Sequence, residues 1–260
     1  MIKKEKTLIE KFLPHVVAIL CFLAITMLYF SPVIEGKIIS QSDIGQYTGA
    51  SQELREYYQK EGESSEWTGS MFSGMPAYTI GIWGGSPNFL SYLEAPLKAL
   101  GNNTAGPIFA AMIMAYILFL IMGFRPSVSA LGAIAYSLSS YNIIILEAGH
   151  VTKAWTLAYM PLIIAGMVAL FRRKALLAGL LMALGLALQI KNNHLQMTYY
   201  TGILCAILYI GYITKEVFKG KRKSFLIILG IITVLFFVNY ILTQREVIGF
   251  EYSLYFGALY

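Results

Sequence analysis

The sequence predicts an all-α integral membrane protein, and three observations carry the prediction. Charged residues make up 13% of the 260-residue chain, where a soluble domain carries about 25%. Hydrophobic residues reach 57% and aromatics 14%, with a mean hydropathy of +0.62, so too few polar groups are present to cover a water-facing surface. The charges fall in short runs that separate apolar stretches of membrane-span length.

Seven such stretches follow in order, at residues 12–34, 106–124, 127–146, 155–171, 175–190, 195–213 and 224–242. Pro161 and the glycines between 179 and 185 are tolerated inside bilayer helices because neighbours re-satisfy the backbone. The first stretch follows Lys3, Lys4 and Lys6 like a signal peptide. Its apolar run is longer than a secretory core, however, and Ser31-Pro32-Val33-Ile34 offers no small-x-small cleavage site, so it reads as an uncleaved anchor.

Basic residues set the orientation. With the N-terminus in the cytoplasm, the inner segments hold thirteen lysines and arginines: Lys3, Lys4, Lys6, Lys11, Arg125, Arg172, Arg173, Lys174, Lys215, Lys219, Lys221, Arg222 and Lys223. The short outer loops hold three, Lys153, Lys191 and Arg245, and the positive-inside bias therefore fixes this topology. The net charge of +6 is thus a topology signal rather than a nucleic-acid groove, and nucleic acid is excluded as a partner. Cys21 and Cys205 each lie in an apolar run, which gives no disulfide framework and no metal spacing.

Residues 35–105 form a long first extracytoplasmic loop. Ser42-Asp43 opens an amphipathic helix with Ile44, Tyr47, Leu54 and Tyr58 on one face, ending before Gly62. A second helix at 88–100 carries Phe89, Leu90, Leu93 and Leu97 around Glu94 and Lys98, a pattern suited to lying flat on the membrane surface. Between them runs Trp67-Thr68-Gly69-Ser70-Met71-Phe72-Ser73-Gly74-Met75-Pro76-Ala77-Tyr78, a Gly- and aromatic-rich loop suited to moving over or covering a ligand.

With this topology the distinctive polar residues gather on the outer side: Asp43, then Glu147, His150 and Lys153, then Lys191, Asn192, Asn193, His194 and Gln196. Ionisable groups at span ends are costly unless used, which makes the set a candidate site. Asp43 is the only aspartate among thirteen glutamates. It has two compatible readings, a helix N-cap and a general base. Lys153 and Lys191 read as snorkelling anchors or as cations for a phosphate. His150 and His194 read as interfacial histidines or as part of that phosphate site. Asp43, Glu147 and His150 are the candidate ligands for a divalent cation. No Gly-rich phosphate loop, zinc-protease helix or Gly-x-Ser-x-Gly elbow is present in the sequence.

Ser42-Asp43-Ile44, the stretch from Trp67 to Tyr78, Glu147-Ala148-Gly149-His150-Val151-Thr152-Lys153 and Gln189-Ile190-Lys191-Asn192-Asn193-His194-Leu195-Gln196 together resemble the YfhO-type bacterial membrane proteins, which look like members of the GT-C superfamily of polytopic glycosyltransferases. The resemblance implies a location in the bacterial cytoplasmic membrane and transfer of a sugar from a polyprenyl-phosphate carrier to an envelope acceptor on the outer face. It implies that Asp43 is the catalytic acidic residue of the first outer loop. His150, Lys153, Lys191 and His194, with Glu147, would then bind substrate and the departing lipid phosphate. Trp67, Met71, Phe72 and Met75 would hold the lipid carrier. Members of the group are longer, so residues 243–260 are expected to be a truncated tail. The competing readings are a transporter or flippase of lipid-linked saccharides, which calls for ionisable residues near the bilayer midplane, and an inactive membrane scaffold.

Overall fold

The computed structural model describes residues 7–37, 39–81 and 89–217. The seventh expected stretch (224–242), the tail (243–260) and the basic residues Lys3, Lys4, Lys6, Lys219, Lys221, Arg222, Lys223 and Arg245 lie outside them. The chain divides into two units, residues 1–202 and 203–260. The first contains all the candidate site residues, and the second is described only as the C-terminal part of one helix.

The elements in order are α1 (Leu8–Tyr29), α2 (Ser31–Ile34), α3 (Ser42–Ala50), α4 (Gln52–Glu61), two-residue strands β1 (Trp67–Thr68) and β2 (Met75–Pro76), α5 (Phe89–Lys98), α6 (Ala105–Ile121), α7 (Pro126–Ser137), α8 (Ser140–Ala148), α9 (Val151–Phe171), α10 (Ala175–Lys191) and α11 (Leu195–Val217). Helices dominate, and α1, α6, α9, α10 and α11 are apolar, whereas α4 of the first loop is polar. Leu8–Tyr29, Val151–Phe171 and Leu195–Lys215 are long and apolar enough to cross a membrane. The pair α7 and α8 is a fourth if the bent pair counts as one span, and α6 and α10 are apolar but shorter.

The stretch at 127–146 is therefore not one straight helix. It bends by 42° between α7 and α8, where Ser139 takes an extended conformation. The carbonyls freed at the break are met by Asn142, whose Nδ2 donates to Tyr136 O at 2.9 Å and Ser137 O at 3.4 Å. A side-chain amide placed one turn later makes the break tolerable in an apolar setting.

Helix α9 is the axis of the bundle. It is apolar on every side, as a helix surrounded by others must be, and it buries Trp155, Tyr159, Leu162, Ala165 and Ala169 among other residues. Helices α6 and α10 pack against it. The approach to α10 is close because Gly166 and Gly185 face the contact. A Cβ at Gly166 would stand 2.9 Å from Ala178 O, and one at Gly185 would stand 2.7 Å from Ile163 Cγ1. Small residues at such contacts let apolar helices gain dispersion contacts without a hydrophobic driving force between them.

Helix α1 packs on α6 and α7 through Ala18, Phe22 and Thr26, with His15 Nδ1 2.8 Å from the Tyr116 hydroxyl. Its remaining surface exposes Leu8, Ile9, Phe12, Leu20 and Leu28. An apolar exterior on this scale is what hydrocarbon, not water, stabilises.

The two ends of the bundle differ chemically. At one end the turns after α6 and α9 carry Arg125, Arg172, Arg173 and Lys174, and Arg172 Nη2 donates to Met122 O at 2.6 Å. At the other end α3, the α8–α9 turn and the α10–α11 turn bring the polar residues of the candidate site.

The first loop departs from its expected form in two ways. The amphipathic helix is broken at Ser51 into α3 and α4, although Gly62, with φ +78°, ends it where its position suggests. Helix α5 is also rotated from the expected face, which keeps Leu90 and Leu97 inward but exchanges Phe89 and Leu93 for Glu94 and Lys98. Leu90, Glu94, Leu97 and Lys98 turn inward while Phe89, Tyr92 and Leu93 are exposed.

Candidate functional site

Asp43 reaches the bundle through three contacts of the chain around it. Gln41 Nε2 donates to Leu146 O at 2.6 Å and to Asn103 O at 3.0 Å. Ser42 Oγ donates to Ala148 O at 3.4 Å. Gly149, in the left-handed region at φ +97°, ends α8 and leaves room for α3 to settle against it. A Cβ there would stand 3.2 Å from Asp43 Cβ, Gln41 Cβ and Ile44 N, and only glycine adopts this conformation without strain.

Seated in this way, the Asp43 carboxylate Oδ2 lies 2.8 Å from His150 Nδ1, with the two side chains 38% and 49% exposed. Asp43 is not the N-cap. Gln41 takes that position and Asp43 falls in the first turn of α3, so its carboxylate is turned to the imidazole instead. A carboxylate near a helix N-terminus is still favoured by the dipole. His150 occupies the N-cap position of α9 with a non-helical backbone.

Lys153 follows in the first turn of α9, its ammonium 5.2 Å from the centre of the Tyr141 ring. His194 belongs to the turn between α10 and α11, behind Asn193 in a left-handed conformation at φ +54°. Its Nδ1 is buried and has no hydrogen-bond partner among the described residues. Burial lowers the pKa of this imidazole below the ordinary histidine value, and the charges of Lys153 and His150 push the same way, against an opposing backbone hydrogen bond. His194 is neutral at pH 7. Asp43, His150, Lys153 and His194 thus form one electrostatic neighbourhood.

Lys191 does not join it. Its ammonium lies 2.5 Å from Glu94 Oε2 with 19% of the side chain exposed, so it is an ion-pair partner rather than a free cation for phosphate. Glu94 is 1% exposed. It also pairs with Lys98 at 2.9 Å and accepts from Asn192 Nδ2 at 2.7 Å and the Tyr159 hydroxyl at 2.9 Å. Burial alone would raise the Glu94 pKa, but the hydrogen bonds from Lys191, then Lys98, then Asn192 outweigh it and hold the carboxyl below its ordinary range. A helix lying flat on the membrane would leave Glu94 solvated, and the structure buries it instead. The signal for this is its register: Leu90, Glu94 and Leu97 stand at i, i+4 and i+7, which puts the glutamate in the middle of the buried stripe.

Glu147 is exposed at the end of α8 and is not on a common helix face with His150, because Gly149 breaks the helix between them. Among the described residues no group of three or more His, Cys, Asp or Glu side chains is arranged to hold a metal ion. The expected Asp43, Glu147 and His150 trio is therefore reduced to a pair. Glu147 instead stands at the rim of a cavity of about 220 Å³ lined by Tyr29, Phe30, Ile39, Ile143 and Leu146. This cavity adjoins the Asp43 seat through Leu146, whose carbonyl Gln41 holds.

The loop from Trp67 to Tyr78 is a short hairpin in which Trp67 pairs with Pro76 and Thr68 with Met75. Glu53 of α4 pins it, accepting from Thr68 Oγ1 at 2.6 Å and Gly69 N at 2.9 Å. Trp67 and Met71 are exposed, Phe72 at the tip is 85% exposed in a left-handed conformation, and Met75 is half-buried. The hairpin therefore offers apolar side chains outward instead of forming a closed lipid-binding wall.

The arrangement supplies a paired carboxylate and imidazole, a lysine, a neutral histidine and an adjoining apolar cavity at one end of an apolar helical bundle. No family model, curated protein or solved structure matches this chain.

Proposed function

We propose that the chain is a membrane glycosyltransferase that moves a sugar from a polyprenyl-phosphate carrier to an envelope acceptor on the outer face of the bacterial cytoplasmic membrane. It would do so as a GT-C-like, YfhO-type protein with about seven spans and a cytoplasmic N-terminus. The observation that carries the reading is the convergence of Asp43, from the first outer loop, with His150 at 2.8 Å, beside an apolar cavity of about 220 Å³.

The chemistry is an in-line displacement at the anomeric carbon. The acceptor hydroxyl loses its proton to the Asp43–His150 pair as it attacks. Lys153 offsets the charge that develops on the departing lipid phosphate. The cavity between Tyr29 and Ile143 accommodates an apolar segment of the carrier close to the reacting carbon. The basic residues at the opposite end of the bundle support the assignment of that end to the cytoplasm.

The test is transfer of radiolabelled hexose from polyprenyl phosphate in proteoliposomes, read alongside mass-spectrometric comparison of envelope glycans with and without the gene. Asp43→Asn is expected to reduce transfer by about 10²–10⁴-fold, the range for loss of acid–base catalysis, at unchanged expression. Unaltered transfer in that variant rejects the role of Asp43.

A further inference from the structure

We infer that within the Asp43–His150 pair the reacting base is Nε2 of His150, and that Asp43 is a positioning residue that fixes the ring. This rests on the sugar-transfer reading above and differs from the role that the family resemblance implies for Asp43.

The argument begins with donor and acceptor capacity. A carboxylate accepts, so at 2.8 Å from Asp43 Oδ2 the His150 Nδ1 must carry the hydrogen. The neutral ring is thereby held in the tautomer whose lone pair is on Nε2. Nε2 has no hydrogen-bond partner among the described residues, and about half of the side chain is exposed, so an approaching hydroxyl can reach it. Asp43 is less available because one of its oxygens is committed to the ring and the other stands 3.5 Å from Ser42 Oγ. Backbone geometry holds both partners: Gly149 permits α3 to approach, and Gln41 secures the start of α3 with two hydrogen bonds. A base oriented by a third group is the general arrangement for activating a hydroxyl.

In the step, the acceptor O–H proton passes to His150 Nε2 while the oxygen forms its bond to the anomeric carbon. The bond from that carbon to the phosphate oxygen breaks, and its electron pair stays on the phosphate. Asp43 retains its hydrogen bond to Nδ1–H and stabilises the imidazolium, which then releases its proton from Nε2 to water. The charged or titratable groups around the ring are Asp43 on α3, Glu147 on α8, Lys153 on α9 and His194 after α10. Among these described groups only the Asp43 carboxylate contacts the ring at hydrogen-bond distance.

The full chain in nanodiscs, labelled with ¹⁵N-histidine, gives three imidazoles, His15, His150 and His194. His15, bonded to Tyr116, serves as the folding control in every variant. The expected result is His150 with Nδ1 protonated, and loss of that preference in Asp43→Ala while the His15 signal is unchanged. A His150 ring protonated on Nε2, or one indifferent to Asp43→Ala, overturns the inference. In proteoliposomes supplied with radiolabelled glucosyl, galactosyl and N-acetylglucosaminyl polyprenyl phosphates, kcat is expected to fall at least about 100-fold in His150→Ala. Residual transfer is expected to be greater in Asp43→Ala than in His150→Ala, because the imidazole that takes the proton is still present. Residual transfer greater in His150→Ala than in Asp43→Ala returns the base to Asp43. Absence of transfer by the wild type with all three donors rejects the sugar-transfer reading itself, and the tautomer measurement then still decides, on its own, whether Asp43 fixes the ring.

Discussion

Two carboxylates of the first loop meet basic side chains of the helical bundle, and they do so in opposite ways. Glu94 is buried, and Lys191, Lys98, Asn192 and Tyr159 all donate to it. Asp43 is half-exposed, with the His150 imidazole as its hydrogen-bond partner. Desolvating a carboxylate costs several kcal/mol unless its lone pairs are met, and at Glu94 they are. A carboxylate met this fully has no capacity for a substrate, so Glu94 fastens α5 to the bundle. The Asp43–His150 pair demands little desolvation and leaves the ring nitrogen Nε2 open. Saturation separates the carboxylate that fastens an element from the one that holds a single, half-exposed partner more clearly than the residue types do.

The comparison breaks most visibly at Glu94. Glu94→Ala leaves two ammonium groups and two neutral donors without their acceptor, and is expected to destabilise the protein by about 3–5 kcal/mol, read from thermal unfolding in nanodiscs. Loss of less than the cost of an ordinary exposed substitution would mean that water already reaches this cluster.

Acid titrates the same network. The folded-state pKa of Glu94 is depressed, so its stabilisation is complete above the unfolded-state value of 4.5 and is lost as pH falls below that toward the folded value. The melting temperature should therefore drop below pH 4.5 in the wild type, and the drop should shrink in Glu94→Gln. His194, also depressed but a base, contributes acid sensitivity from about 6.5 downward, and His194→Gln should remove that part.

A smaller effect is expected at the Asp43 seat. Gly149→Ala forces a side chain into a left-handed conformation against three atoms at 3.2 Å. This costs about 1–3 kcal/mol, and it should also weaken the ¹⁵N signature of the Asp43–His150 contact. The smallest is Asp43→Asn, expected to change stability by less than about 1 kcal/mol because the asparagine amide oxygen can still accept from Nδ1–H at a half-exposed site. A large loss there would place Asp43 with Glu94 as a fastening residue.

Much of this organisation is legible in the chain because it follows from periodicity and composition. Apolar helices, a long polar loop with two amphipathic helices, and polar residues gathered at the ends of spans all have local signals. Gly62 and Gly149 mark helix ends for the same reason. Convergence of Asp43 with His150 is legible only as proximity in a topology, since nothing local sets a distance between residues 107 positions apart. The face of α5 is hidden because charge ordinarily means solvent, and two of the partners that satisfy Glu94, Lys191 and Asn192, come from α10 and the turn after it. Lys191 is hidden with it, since whether a lysine is free depends on what another segment brings to it. The 42° bend within 127–146 has a local trace in the polar cluster Ser137, Ser139, Ser140 and Asn142, which a reading by span length alone passes over.

Helix α5 has a practical consequence for anyone wishing to isolate residues 35–105. Its inner edge is ionic and completed by Lys191 and Asn192 of α10 and the turn that follows, while its outer edge is aromatic, with Phe89 and Tyr92 exposed. Cut from the bundle, the segment would keep Lys98 but lose Lys191, Asn192 and Tyr159, three of the four donors that satisfy its buried glutamate, and would still carry an oily rim. It is a keystone rather than a tile, and it has its shape only while the arch around it stands.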